Sequence, residues 1–148
     1  MRLLALRARG EEELRRRLVQ KGFSRPDAEA ALNHLRKAGY IDDKRFAQGL
    51  VEGRLKNKNW GRFKIAAELA SKGVGRDVAQ SALGAVTEEE ESVSAEAALE
   101  KWLKKNNASA PLQKKMRERA FRHLKSRGFP HDMVVRVMGR PGRDDGLD

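Results

Sequence analysis

Few residues in this chain have the types and spacing that chemistry requires. The most suggestive are Asp42 and Asp43, adjacent carboxylates within AGYIDDKRFAQGLV, residues 38–51. Such a pair can hold a divalent cation or trade a proton. A metal needs further ligands, however, and the nearest histidine, His34, has no companion. His123 and His131 are distant from it, and no two histidines stand at i and i+4. His34 and His123 read as helix-surface residues and His131 as a polar group in a first helical turn. GVG at residues 73–75 follows no strand, so it is a helix stop rather than a dinucleotide loop. The chain has no cysteine, which removes thiolate metal sites and thiol nucleophiles. No catalytic, cofactor or metal site is expected.

The acid pair has a local explanation. With Asp42 as N-cap, Ile41 precedes the cap and Phe46 takes the fourth helical position, the spacing of a hydrophobic staple. Thr87 with Glu90 has the spacing of a capping box, so the run Glu88–Glu91 also reads as a helix start. Gly10 and Gly61 can cap, and Glu11, Glu12 and Glu13 suit the positive end of a helix dipole.

These starts belong to a repeat. Three segments align without gaps, from Gly10, Gly61 and Met116, with Met116 at the capping position of the third. In each, a leucine (Leu18, Leu69, Leu124) stands four residues before a glycine (Gly22, Gly73, Gly128), which Phe23, Val74 or Phe129 follows. A glycine there can take the left-handed conformation that closes a Schellman turn, in which the residue after it packs on the leucine. Leu35, Gly39 and Tyr40 repeat the arithmetic at a fourth helix end. Such self-similarity marks one supersecondary unit used three times.

The spacing predicts leading helices over 2–9, 43–57 and 88–106. Second helices are predicted over 11–21, 62–72 and 110–127, and third helices over 25–38, 76–86 and 131–138. The expected fold is all-α, three tandem three-helix repeats in an elongated arrangement (1–41, 42–86 and 87–138), with a flexible tail at 139–148. Only 39% of residues are hydrophobic and 36% are charged, which suits helices that each bury a narrow stripe. No stretch resembles a signal peptide or a membrane span, so a cytoplasmic protein is expected.

The net charge of +11 points to a polyanionic partner or an acidic protein surface. Basic blocks at 1–41, 42–86 and 109–148 enclose an acidic strip at 87–108. In RLKNKNWGRFKI, residues 54–65, Arg54, Lys56 and Lys58 end one helix, Trp60 follows, and Arg62 and Lys64 begin the next. One reading is a surface that grips phosphate and stacks on a base. The other is that the cations satisfy the negative helix end while Trp60 packs between helices. Arg15 and Arg16, with Arg17 and Lys21, lie on one helix, and Lys114, Lys115, Arg117 and Arg122 take up equivalent places later. Their recurrence suggests a basic track.

ELRRRLVQKGF, GYIDDKRFA, RLKNKNWGRFKIAAELASKGV and LKSRGF together resemble the bacterial RecX family, regulators of the recombinase RecA. The resemblance spans most of residues 3–138. It implies a non-enzymatic protein of three-helix repeats that binds RecA and its filament on single-stranded DNA and restrains recombinase and ATPase activity. It carries over no catalytic residues. A direct DNA-binding regulator of the helix-turn-helix type and a basic protein–protein adaptor are the competing readings. No helix shows a base-reading cluster of Asn, Gln and Arg, and the repeats argue against a single recognition helix.

Overall fold

The computed structural model describes residues 10–39 and 41–146. These residues form eight helices and no strand: α1 (Glu11–Gln20), α2 (Arg25–Lys37), α3 (Asp43–Asn57), α4 (Arg62–Ser71), α5 (Arg76–Gly84), α6 (Glu88–Lys105), α7 (Lys114–Ser126) and α8 (His131–Gly146). The helix predicted over 2–9 lies outside the described residues. Two boundaries differ from expectation by more than two residues. Helix α7 begins at Lys114 with Gln113 as N-cap, so Met116 is a residue of the first turn and not the cap. Helix α8 continues from 138 to Gly146, through Gly139, Pro141 and Gly142.

The four glycine stops take one conformation. Gly22, Gly39, Gly73 and Gly128 have φ of 101°, 84°, 80° and 97°. Phe23 N donates to Leu18 O at 3.1 Å, Val74 N to Leu69 O at 3.0 Å, and Phe129 N to Leu124 O at 3.4 Å, the long-range bond of a Schellman turn. The turn is local, but the burial of the residue after it is not. Phe129 is 1% exposed and Val74 7%, whereas Phe23 is 46% exposed.

The chain divides into two compact units, and the middle repeat contributes to both. Unit 1 is Met1–Val51 with Ala66–Ala85, and unit 2 is Glu52–Ile65 with Val86–Asp148. In unit 1, α1 packs on α2 around Leu14, Leu32, Leu35 and Ile41, with Leu18 at the edge. Asp42 caps α3: its Oδ1 accepts from Arg45 N at 3.0 Å and its carbonyl from Phe46 N at 2.9 Å. Ile41 and Phe46, at the staple positions, are both buried. Asp43 has a partner that spacing did not reveal. Its Oδ1 accepts from Glu11 N at 2.7 Å, the first N–H of α1. Gly10, the N-cap there, has no side chain to perform this role. The two acids therefore close two different helices.

In unit 2, α6, α7 and α8 pack pairwise on one another. Their core includes Ala95, Ala98, Ala120, Leu124, Phe129, Met133 and Val134. The start of α4 seats on the turn between α7 and α8: Gly61 N donates to Arg127 O at 2.8 Å and Phe63 N to Gly128 O at 2.9 Å. Exposed carbonyls at one helix end thus satisfy orphan N–H groups at the start of another. The approach needs glycine on both sides. A Cβ on Gly61 would lie 2.6 Å from the Gly128 carbonyl oxygen, and one on Gly128 would overlap the Lys64 backbone.

Candidate functional site

The loop between α3 and α4 gathers the candidate residues of RLKNKNWGRFKI within unit 2. Asn59 is buried with φ of 54°, a conformation that asparagine tolerates better than most residues. Two neighbours hold it: its Nδ2 lies 3.4 Å from Ser94 Oγ, and Lys101 Nζ donates to its Oδ1 at 2.7 Å. Ser94 in turn donates to Leu55 O at 2.7 Å. This bend turns Trp60 back toward the end of α3, where Trp60 N donates to Arg54 O at 3.1 Å. The half-buried indole carries Arg54 Cζ 5.5 Å and Lys64 Nζ 4.4 Å from its ring centroid, within cation–π range. Phe63, in the first turn of α4, is 62% exposed. Cations interleaved with accessible aromatics suit phosphate contact and base stacking.

Not every cation of this segment faces outward. Arg62 Nε donates to Glu91 Oε1 at 2.8 Å, and the Arg62 main-chain N–H donates to Glu91 Oε2 at 2.9 Å. Glu91 is 1% exposed. Its carboxylate occupies the anion-favouring position at the start of α4, where a phosphate was one expectation. Lys56 pairs with Glu52 at 3.0 Å on the exposed face of α3. Lys58 is exposed, and its carbonyl accepts from Arg127.

The remaining candidates divide by unit. In unit 1, Arg15 is bound by Glu11, Glu12 and Glu29, and the hydrogen bond to Glu29 leads the influences that raise its pKa. Arg16 is more exposed and donates to Ser71 O at 3.2 Å. In unit 2, Lys114 and Lys115 open α7 with no acidic residue in that turn, an arrangement the helix dipole disfavours. Arg117 reaches Leu112 O at 3.4 Å, and Arg122 is exposed on the same helix.

Sequence reasoning missed Glu91, Phe63 and His123. Glu91 opens the stripe of Ser94, Ala95 and Ala98 that α6 buries, and its place on that stripe was the available signal. Phe63 follows Arg62 directly and had no signal beyond its aromatic type. His123 is not a bare surface residue. It stacks obliquely against Trp102, centroids 6.2 Å apart, and burial followed by Arg127, Lys105 and Lys64 pushes its pKa down.

Among the described residues no group of three or more His, Asp or Glu could hold a metal ion, and no helix is long and apolar enough to cross a membrane. Comparison with known proteins complements this geometry. Residues 1–35 match the first three-helix domain of RecX, and residues 42–83 match the second. The chain is 37% identical to the regulatory protein RecX of Chlorobaculum tepidum, over 100% of its length and 92% of the relative's. It is 34% identical to that of Amycolatopsis mediterranei, over 99% of its length and 82% of the relative's. The crystal structure of RecX from Lactobacillus salivarius shares the fold with a TM-score of 0.82 at 18% identity, covering 95% of this chain and 90% of that one.

Proposed function

The chain belongs to the RecX family of regulatory proteins, and from that premise we propose that it modulates, as an inhibitor, the RecA recombinase. It does so without catalysis, by binding RecA or its filament on single-stranded DNA through basic surfaces. The observation that carries this reading is the Trp60 platform: an indole within cation–π range of Arg54 and Lys64, three residues before the exposed Phe63. Such a surface suits contact with a phosphate-bearing, ring-bearing partner. Lys56 and Lys58 extend the charge along the end of α3, while Lys114, Lys115, Arg117 and Arg122 supply it on α7. Arg15 and Arg16 are the contact residues of unit 1, Arg15 as the more tightly held of the two. Inhibition follows if the protein binds one filament state more tightly than another, or obstructs DNA exchange and subunit addition.

The test is RecA ATPase and strand exchange, with and without the protein, at several salt concentrations. Charge reversal at Arg54, Lys56 and Lys58 together should weaken filament binding and flatten its salt dependence while helicity is retained. Reversal at Lys114, Lys115 and Arg117 is the parallel test on α7. Unchanged inhibition by both triple variants contradicts the basic-surface mechanism. Bare single-stranded DNA bound as tightly as the filament favours a direct DNA-binding regulator instead.

A further inference from the structure

We propose that a cavity between α6 and α7 is a binding site for a nucleotide, recognised by its phosphate and its flat ring. The cavity has a volume of about 350 Å³, and its walls include Asn59, Lys101, Trp102, Lys105, His123 and Arg127. That volume lies at the small end of sites for small molecules.

No carboxylate lines the cavity, although the surrounding sequence block, 87–108, is acidic overall. Lys101 and Lys105 stand one turn apart at the end of α6, where cations ease the negative helix end. From a second helix end, Arg127, the C-cap of α7, and His123, in its last turn, face the same space. The Lys105 ammonium has no hydrogen bond or ion pair with another described residue, and Arg127 Nε is buried without an acceptor although its Nη2 donates to Lys58 O. A guanidinium and two ammonium groups around one space are the donors that phosphate recognition uses.

The other walls are shaped to receive a ring. Trp102 is inclined at 32° to His123, and Arg119 Cζ lies 5.7 Å from the indole centroid. Lys101 is steadied by the amide of Asn59, itself held in its left-handed conformation by Ser94. The site is pre-arranged, and the proposal does not depend on RecA. Two sources share the chemistry: a free mononucleotide, or one nucleotide of a single strand.

The experiment follows the imidazole signals of His123 and the indole N–H of Trp102 by NMR in the full chain. The additions are adenosine 5′-monophosphate, adenosine and a short oligothymidylate. The monophosphate, the oligonucleotide or both should move both signals saturably, and adenosine should move them far less. The bound anion should raise the His123 pKa, because it opposes the neighbouring cations that depress it. Lys105→Glu should weaken binding by about tenfold or more, and Lys105→Met by less, with the circular dichroism spectrum unchanged. Binding by the monophosphate identifies a free-nucleotide site, whereas saturation by the oligonucleotide alone identifies a strand site. Absence of any shift at millimolar ligand overturns the proposal. So does adenosine matching its monophosphate, or Lys105→Glu binding as wild type does.

Discussion

Glu91 holds Arg62 twice, accepting its main-chain N–H at 2.9 Å and its Nε at 2.8 Å with the two oxygens of one carboxylate. One buried acid therefore caps α4 and anchors the side chain of its first residue. Glu91→Ala leaves that N–H unpartnered and should destabilise unit 2 by roughly 2–4 kcal/mol, less than a fully buried pair because Arg62 can turn to water. Glu91→Gln should lose less, since its carbonyl oxygen can still accept from the main chain. Chemical denaturation of both variants decides it, and equal losses would show that the cap contributes nothing.

Asp42 and Asp43 should behave as caps of different helices. Asp42→Ala should cost roughly 0.5–2 kcal/mol while Asp42→Asn retains most of the stability, since asparagine caps as well as aspartate. Asp43→Ala should raise hydrogen exchange in the first turn of α1, which Asp42→Ala should leave alone. Tight divalent-cation binding at the pair would contradict both expectations.

Glycine substitutions should separate close approach from mere flexibility. Gly61→Ala drives a methyl into the Gly128 and Phe129 backbone and should destabilise by upwards of about 1–3 kcal/mol. Gly73→Val meets both a positive φ and the Glu12 side chain, so its cost should exceed about 1 kcal/mol. Gly49→Ala, on α3 with open space around it, should stabilise by about 0.4–1 kcal/mol. Thermal melts of the three variants should fall in that order of sign.

The depressed pKa of His123 fixes the direction of a pH effect in nucleotide-free buffer. Burial, then Arg127, Lys105 and Lys64, make the folded protein bind this proton less readily than the unfolded chain. Its contribution to stability is fully present above the unfolded value, near 6.5, and is lost as pH falls through the lower folded value. Replacing His123 with Gln should flatten the decline in stability on that acid side. An unaltered pH profile would show that the imidazole is not the group responsible.

Local signals in this chain were legible because they act over a few residues. Leu124, Gly128 and Phe129 specify a Schellman turn whichever helix lies beyond, and Thr87 with Glu90 closes a capping box in which both hydrogen bonds form. The resemblance to RecX, carried by runs such as GYIDDKRFA, was likewise legible in the sequence. Partner choice across the fold was not. Asp43 reaches Glu11 across 32 residues, and Glu91 reaches Arg62 across 29. Nothing in a charge pattern distinguishes such a bonded acid from a solvated one. The same holds for the cations: Arg15 proved to be tied to three glutamates, while Lys101 and Lys105, from the acidic strip, line a positive cavity with His123 and Arg127. Helix starts and stops follow from short-range sterics and hydrogen bonding, which the sequence carries within one turn. Which charges are neutralised, and which converge on an open space, depends on how distant helices pack, and only the tertiary structure decided that.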